Sequence, residues 1–237
     1  MSLEYLTQLT RQAGFDLPPK RLAALWRYET DLLEKNQVMN LTAIRDADEA
    51  ARLHVVDALE LTRVHGLNGK RLLDVGTGGG IPGVILKLAE PTMKLTLLDA
   101  TAKKIDWLRE LLTGYGIEAD YLTGRAEELA ATHRAKYDVV TARAVTRLSA
   151  LCELCLPYVK QGGLFLAMKG PEASEELEQA RKAIRTLGGQ PLPVHTYTLP
   201  TTETGGGEQR AIILIRKTAP TPPQYPRRWS RIKEHPL

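Results

Sequence analysis

Cysteine, phenylalanine and long apolar runs are scarce in this chain of 237 residues, and each scarcity excludes something. No apolar stretch reaches the roughly 20 residues that a helix needs to cross a bilayer. The two cysteines, Cys152 and Cys155, have neither a second pair nor histidines in register, which excludes a zinc ribbon or a disulfide framework. Their spacing within the apolar run 148–156 predicts two thiols on one face of a buried helix. Residues 1–10 lack a positive-then-apolar leader pattern, so a cytoplasmic location is expected. The glycine-rich stretch 76–83 runs on into Val84 rather than Lys-Ser/Thr, and this excludes a triphosphate-binding P-loop.

What is present is ordinary in amount and uneven in distribution. The length allows one large core, with or without a small appendage. Lys and Arg number 32 against 28 Asp and Glu, giving a net charge of +4. Much of the excess sits at the end, where Arg216, Lys217, Arg227, Arg228, Arg231 and Lys233 face only Glu234. That asymmetry reads either as a footprint for a polyanion such as nucleic acid or as a solvated basic tail.

Residues 1–65 carry apolar residues at helical spacing and predict helices. Asn40-Leu41-Thr42 interrupts the pattern with residues that cap or turn. A third helix is expected from Asp46 or Asp48 through Leu61, with His54 and Asp57 three apart on one face. Spacing alone favours a surface pair for those two. From residue 70 the rhythm changes. Strands are predicted at 71–75, 94–99, 119–123, 137–142 and 163–168, with helices at 82–89, 102–114, 126–132, 147–158 and 171–187. This alternation implies an α/β fold with a parallel sheet covered on both faces, whose ligands bind at the carboxyl ends of the strands. Runs 193–199 and 210–215 form a terminal hairpin-like pair across the loop 200–209, which contains Gly205-Gly206-Gly207. Beyond Lys217, Pro220, Pro222, Pro223 and Pro226 are expected to prevent regular structure to the end. Three parts follow: a helical extension packed on the core (1–65), a central domain (66–217) and a basic, Pro-rich tail (218–237).

The chemistry centres on Leu72-Leu-Asp-Val-Gly76-Thr-Gly78-Gly-Gly80-Ile-Pro82-Gly83. A buried strand ends in glycines that let a ligand approach the backbone, and Pro82 then opens a helix. The spacing is G-x-G-x-G. The dinucleotide fingerprint would need glycine where Ile81 stands. A ligand with a nucleoside and an amino acid head fits better, which points to S-adenosyl-L-methionine. Asp99, at the end of the second strand, suits the two hydroxyls of a ribose, or the N-cap of the next helix. Gly124-Arg125-Ala126-Glu127 falls beside the expected adenine pocket, and Thr141-Ala142-Arg143-Ala144 ends the fourth strand above the reacting methyl. That strand end lacks the Asn/Asp-Pro-Pro-aromatic run of exocyclic-amine methylation, and neither cysteine sits on a loop suited to pyrimidine C5 attack. Guanine N7 needs neither device. An NAD-dependent oxidoreductase of Rossmann type, or an RNA-binding assembly factor with a vestigial pocket, are the alternatives.

These residues, with Asn40-Leu41-Thr42, His54, Asp57, Lys103-Lys104, Lys169-Gly170, Arg210 and the closing Tyr225-Pro-Arg-Arg228, resemble the bacterial small-subunit rRNA guanine-N7 methyltransferases, the glucose-inhibited division protein B family. Ile81, where that family often has Phe, and Ala58, where it often has Ser, depart from the pattern. The resemblance implies a class I methyltransferase fold, a seven-stranded and mostly parallel sheet, with an N-terminal helical extension. It implies S-adenosyl-L-methionine as donor, with S-adenosyl-L-homocysteine as product. It also implies 16S rRNA or a small-subunit particle as substrate, at a guanine near the decoding site. Gly76, Gly78, Gly80, Ile81, Asp99, Ala126, Glu127 and Arg143 are expected to hold the cofactor. His54, Lys169, Arg210, Arg227 and Arg228 are expected on the RNA side, with Arg143 and Lys169 positioning the reactants. No metal and no membrane are expected, and the protein is expected to be a monomer. If the tail touches phosphates, each contact adds roughly 0.7–0.9 to the salt slope of log K. Removing residues 226–237 is then expected to flatten that slope in RNA-binding titrations while sparing cofactor affinity.

Overall fold

The computed structural model describes residues 1–143, 145–200 and 207–237. Ala144, and residues 201–206 of the predicted 200–209 loop, lie outside the described residues. Strands β1 (Arg71–Val75), β2 (Lys94–Asp99), β3 (Asp120–Thr123), β4 (Tyr137–Arg143) and β5 (Val159–Lys169) lie in the order β3-β2-β1-β4-β5, all parallel. Strand order therefore reverses between β1 and β4, and this opens a crevice at their carboxyl ends.

Side chains alternate faces along each strand, so one sheet feeds two cores. Leu72, Val139, Leu164 and Leu166 point into one core, and Leu73, Val140, Phe165 and Ala167 into the other. The first is covered by α5 (Gly83–Ala89) and α6 (Ala102–Gly114), and also by the N-terminal helices α1 (Leu3–Gln12) and α2 (Pro19–Met39). The second is covered by α7 (Ala126–His133), α8 (Leu148–Cys155) and α9 (Ala173–Thr186). Both cysteines are buried on α8, as the apolar spacing implies, and α8 stops where Pro157 cannot supply an N–H.

The third N-terminal helix is irregular. A four-residue α3 (Ala47–Ala50) passes through a π-helical segment, Ala51–Val56, into α4 (Asp57–Val64). The wide turn points both His54 and Asp57 inward, at 0% and 1% exposure, so the expected surface pair does not exist. Burial on a helix depends on what packs over it, and residue spacing carries no record of that.

The terminal part departs from expectation in two further ways. The sheet has eight strands. β8 (Gly207–Lys217) runs antiparallel to β5, and two short strands, β6 (Gly189–Pro191) and β7 (His195–Pro200), share its outer edge. Seven positions are thus filled by eight segments. The tail also regains structure after its prolines, as α10 (Trp229–Glu234), which buries Ile232 in the second core.

Two residues counted as free basic charge are spent inside the protein. Lys217 is 3% exposed and donates to the Leu187 carbonyl at 2.6 Å and to Thr221 Oγ1. Burial, assisted by Arg134, pushes its amine down to about 8. Arg227 clamps the fully buried Glu153 of α8, through Nε and its backbone N–H to Oε1 (2.8 Å each) and through Nη2 to Oε2 at 2.7 Å. A bidentate pair of this kind fixes the tail's course over α8. Arg227→Ala leaves the buried Glu153 with a backbone N–H but no guanidinium, and is expected to cost about 3 kcal/mol of stability. Glu153→Leu combined with Arg227→Met is expected to recover most of that loss in urea denaturation.

Candidate active site

β1 ends in the crevice with Val75 paired to Ala142, which sets Gly76 beside Arg143. The turn that follows is held by a carboxylate beneath it. Asp74 Oδ2 accepts the Thr77 hydroxyl at 2.6 Å and the Gly83 N–H at 3.0 Å, tying the end of β1 to the start of α5. Its Oδ1 is buried without a partner. Burial pushes the Asp74 carboxyl up to about 6, against the pull of those hydrogen bonds and of Arg143. Gly76, at φ +71°, leaves no room for a side chain: a Cβ there would lie 2.8 Å from Val145 Cγ2.

The other glycines divide by role. Gly78 lines the cleft and donates its N–H to Asp99 Oδ2 at 2.9 Å, while Asp99 Oδ1 accepts from Thr101 N at 2.8 Å. Asp99 thus braces the glycine loop and the turn before α6, whose N-cap is Thr101 rather than Asp99, and it is 8% exposed. Gly80 faces packing instead: a Cβ would meet Val84, Leu108 and the Tyr28 hydroxyl within 3.1 Å. Gly79 also lines the cleft, and its carbonyl accepts the Tyr28 hydroxyl at 2.7 Å. The N-terminal extension is therefore part of the site.

That extension contributes a wall as well. Asn40 takes a left-handed turn (φ 51°) at the end of α2, and the loop beyond it is wrapped by the buried Asn36. Asn36 Oδ1 accepts from Leu41 N (2.7 Å) and Thr42 N (3.0 Å), and Nδ2 donates to the carbonyls of Thr42 (3.0 Å) and Ile44 (3.3 Å). Leu41, Thr42, Ala43 and Ile44 so held form one side of a cavity of about 370 Å³; Gly76, Thr77, Gly78, Gly79, Ile81, Leu53, Arg143 and Arg210 complete it. Behind Thr42 runs a buried chain. Its hydroxyl lies 3.1 Å from His54 Nε2, and His54 Nδ1 lies 2.9 Å from Glu29 Oε2, with both His54 and Glu29 at 0% exposure. His54 reaches the cleft only through Thr42.

Arg143 Nη1 donates to the Leu53 carbonyl of the π-helical segment at 2.6 Å and lies 3.4 Å from Asp57 Oδ2. Asp57 Oδ1 accepts the Tyr197 hydroxyl at 2.5 Å. Arg210, across the cavity on β8, pairs with Glu208 at 2.8 Å, while its Nε is buried without a partner. A second cavity, of about 210 Å³, begins at Gly76 and is lined by Val75, Leu98, Ala100, Gly124, Arg125, Ala126, Glu127, Val145, Leu154 and Trp229. The Tyr158 hydroxyl fixes its floor by donating to the Ala126 carbonyl at 2.6 Å.

Of the residues expected from sequence, Gly76, Gly78, Ile81, Arg143 and Arg210 meet at the larger cavity, and Ala126 and Glu127 at the smaller one. Arg228 lines an adjoining hollow with Arg125 and Trp229. Lys169 lies apart. It bonds the Thr146 carbonyl at 2.8 Å and Glu176 at 2.7 Å, and so secures the loop after β4. Thr42, Gly79, Asp74 and Trp229 were not singled out as site residues. The break at Asn40-Leu41-Thr42 was the available signal for the first, and the tail gave none for the last. Among the described residues, no group of three or more His, Cys, Asp or Glu could hold a metal ion.

A family model described as rRNA small subunit methyltransferase G matches residues 21–204. The ribosomal RNA small subunit methyltransferase G of Oceanobacillus iheyensis is 38% identical over 241 residues, covering 100% of both chains. That of Pelotomaculum thermopropionicum is 39% identical over 238 residues, covering 99% of this chain and 98% of its own. Among solved structures, M. jannaschii TYW2 in complex with AdoMet aligns with a TM-score of 0.54 at 9% identity, over 68% of this chain and 74% of that one. A precorrin-6y C5,15-methyltransferase from Geobacter metallireducens aligns with a TM-score of 0.51 at 14% identity, over 69% and 87%. These last two share the fold.

Because the Asp74 carboxyl sits above its usual value of 3.8, the folded protein binds a proton there that the unfolded chain has lost. Its contribution to stability is greatest below pH 3.8 and falls as pH rises to about 6. The fall amounts to about 3 kcal/mol. Asp74→Asn keeps an oxygen for Thr77 and Gly83 and carries no charge. It is expected to gain on the parent protein across that interval, read as the difference in urea midpoints between pH 4 and pH 7.

Proposed function

Since this chain belongs to the rRNA small subunit methyltransferase G family, we propose that it transfers the methyl group of S-adenosyl-L-methionine to N7 of a guanine in 16S rRNA, near the decoding site. The observation that carries this reading is the pair of unlike cavities meeting at Gly76. The smaller is largely apolar and bordered by Ala126 and Glu127; the larger carries Thr42, Thr77, Arg143 and Arg210. A molecule with a flat base at one end and a charged amino acid at the other suits that division. When bound, S-adenosyl-L-methionine supplies an electrophilic methyl on its sulfonium.

The residues that would hold it are Gly76, Gly78 and Ile81 at the turn, Ala126 and Glu127 at the base, and Arg143 at the amino acid end. Asp99 would contribute through the glycine loop that it braces, and Gly80 through the packing that shapes that loop. Guanine N7 presents an in-plane lone pair and carries no proton, so no general base is required. The protein's task is positioning in a confined site. Arg143, held on Leu53 and Asp57, offers a fixed guanidinium at the cleft, and Arg210 lines the opposite side. A guanidinium suits either a phosphate or a guanine edge. Arg228, exposed on the rim, extends the positive border toward the RNA backbone. The buried His54 serves by orienting Thr42, and Lys169 by fixing the loop after β4.

Incubating the protein with methyl-labelled S-adenosyl-L-methionine and small subunits from a strain lacking this activity is expected to place label at guanine N7 of 16S rRNA. Label at a pyrimidine C5 or an exocyclic amine would reject the chemistry. Arg143→Ala is expected to lower kcat/KM about a hundredfold, the scale of a misplaced reactant.

A further inference from the structure

The last residues of the chain reach the smaller cavity. Trp229, the first residue of α10, lines that cavity together with Gly124, Arg125, Ala126 and Glu127, and its half-buried indole packs against the second core. No other aromatic side chain lines that cavity among the described residues. Its position is imposed. The clamp of Arg227 on Glu153 lies two residues before it, and Ile232, at 0% exposure, anchors the helix three residues after it. Arg134 adds a third tie by donating to the Thr221 carbonyl at 3.1 Å and to the Tyr225 carbonyl. An indole pinned at both ends beside a small apolar cavity offers a rigid flat face. Purines bind such faces well because every base has a π surface and the ring loses little freedom on contact.

We propose that Trp229 is a donor-binding residue: it forms the wall against which the adenine of S-adenosyl-L-methionine lies, so that the docked tail completes the cofactor site. This rests on the donor reading above and adds to it a residue outside the strand-end motifs. It also corrects the expectation that residues 226–237 can be removed without cost to cofactor affinity. The tail's basic residues divide accordingly, with Arg227 holding the wall in place while Arg228 and Arg231 stay exposed.

The test uses the full chain and S-adenosyl-L-homocysteine. Calorimetric titration of the parent protein, Trp229→Phe and Trp229→Ala is run beside tryptophan emission, with thermal melts to verify folding. The parent protein is expected to bind and to change its emission on binding. Trp229→Phe keeps a flat ring, so it is expected to bind within about threefold of the parent and to lose the emission change. Trp229→Ala is expected to bind about tenfold more weakly, the loss typical of removing one base–aromatic contact. Equal affinity in Trp229→Ala, or an emission change that survives in Trp229→Phe and so arises at Trp26 or Trp107, would overturn the assignment. A parent protein that takes up no S-adenosyl-L-homocysteine would instead overturn the donor reading itself, and this inference with it.

Discussion

The site hangs on the carboxylate of Asp74. Buried beneath the turn, it binds one hydroxyl and one backbone N–H across the interval from Thr77 to Gly83, and so converts a flexible glycine stretch into a closed loop. Desolvation works against its charge. The charged form is favoured by the hydrogen bonds and by Arg143, which also lines the cleft. Every other contact to the turn presupposes that loop: Tyr28 on the Gly79 carbonyl, Asp99 on the Gly78 N–H, and Val145 over Gly76.

Around that fixed point the chain assembles walls from distant parts of its sequence. The α2–α3 loop supplies Thr42 and Ile44, the π-helical segment supplies Leu53, β8 supplies Arg210 and the tail supplies Trp229. Several charged or polar groups around the site are paired within the protein. Glu153 with Arg227, Glu29 with His54, and Asp57 with Arg143 and Tyr197 are each buried or partly buried pairs. Such pairs contribute little net stability against apolar replacements, but they penalise strongly any arrangement that separates them. They fix where the peripheral elements dock.

The central strands were legible because both faces of the sheet are covered. Leu72-Leu73 with Val75, and Leu95 with Leu97-Leu98, therefore read as short apolar runs between turn signals, and the strands fall on those residues. The glycine turn was legible because positive φ and close approach leave few other residues a choice. Arg143 was legible by its place at a strand end. Positions set by contacts far along the chain were not. The inward turn of His54 depends on Glu29 and on the π-helical segment, and neither leaves a periodic trace. The tail helix depends on Glu153, which sits in an apolar run and reads there as an ordinary polar interruption.

Because the loop after α2 and the helix α10 border adjoining cavities, these walls meet only once all the segments between them have been made. Glu153 and the strand-end glycines precede Arg227 and Trp229 in the chain and are therefore made before them. Until Arg227 docks, Glu153 lacks its guanidinium partner and the smaller cavity lacks its indole side. A chain truncated before Arg227 is therefore incomplete in two places at once, beside α8 and along the smaller cavity.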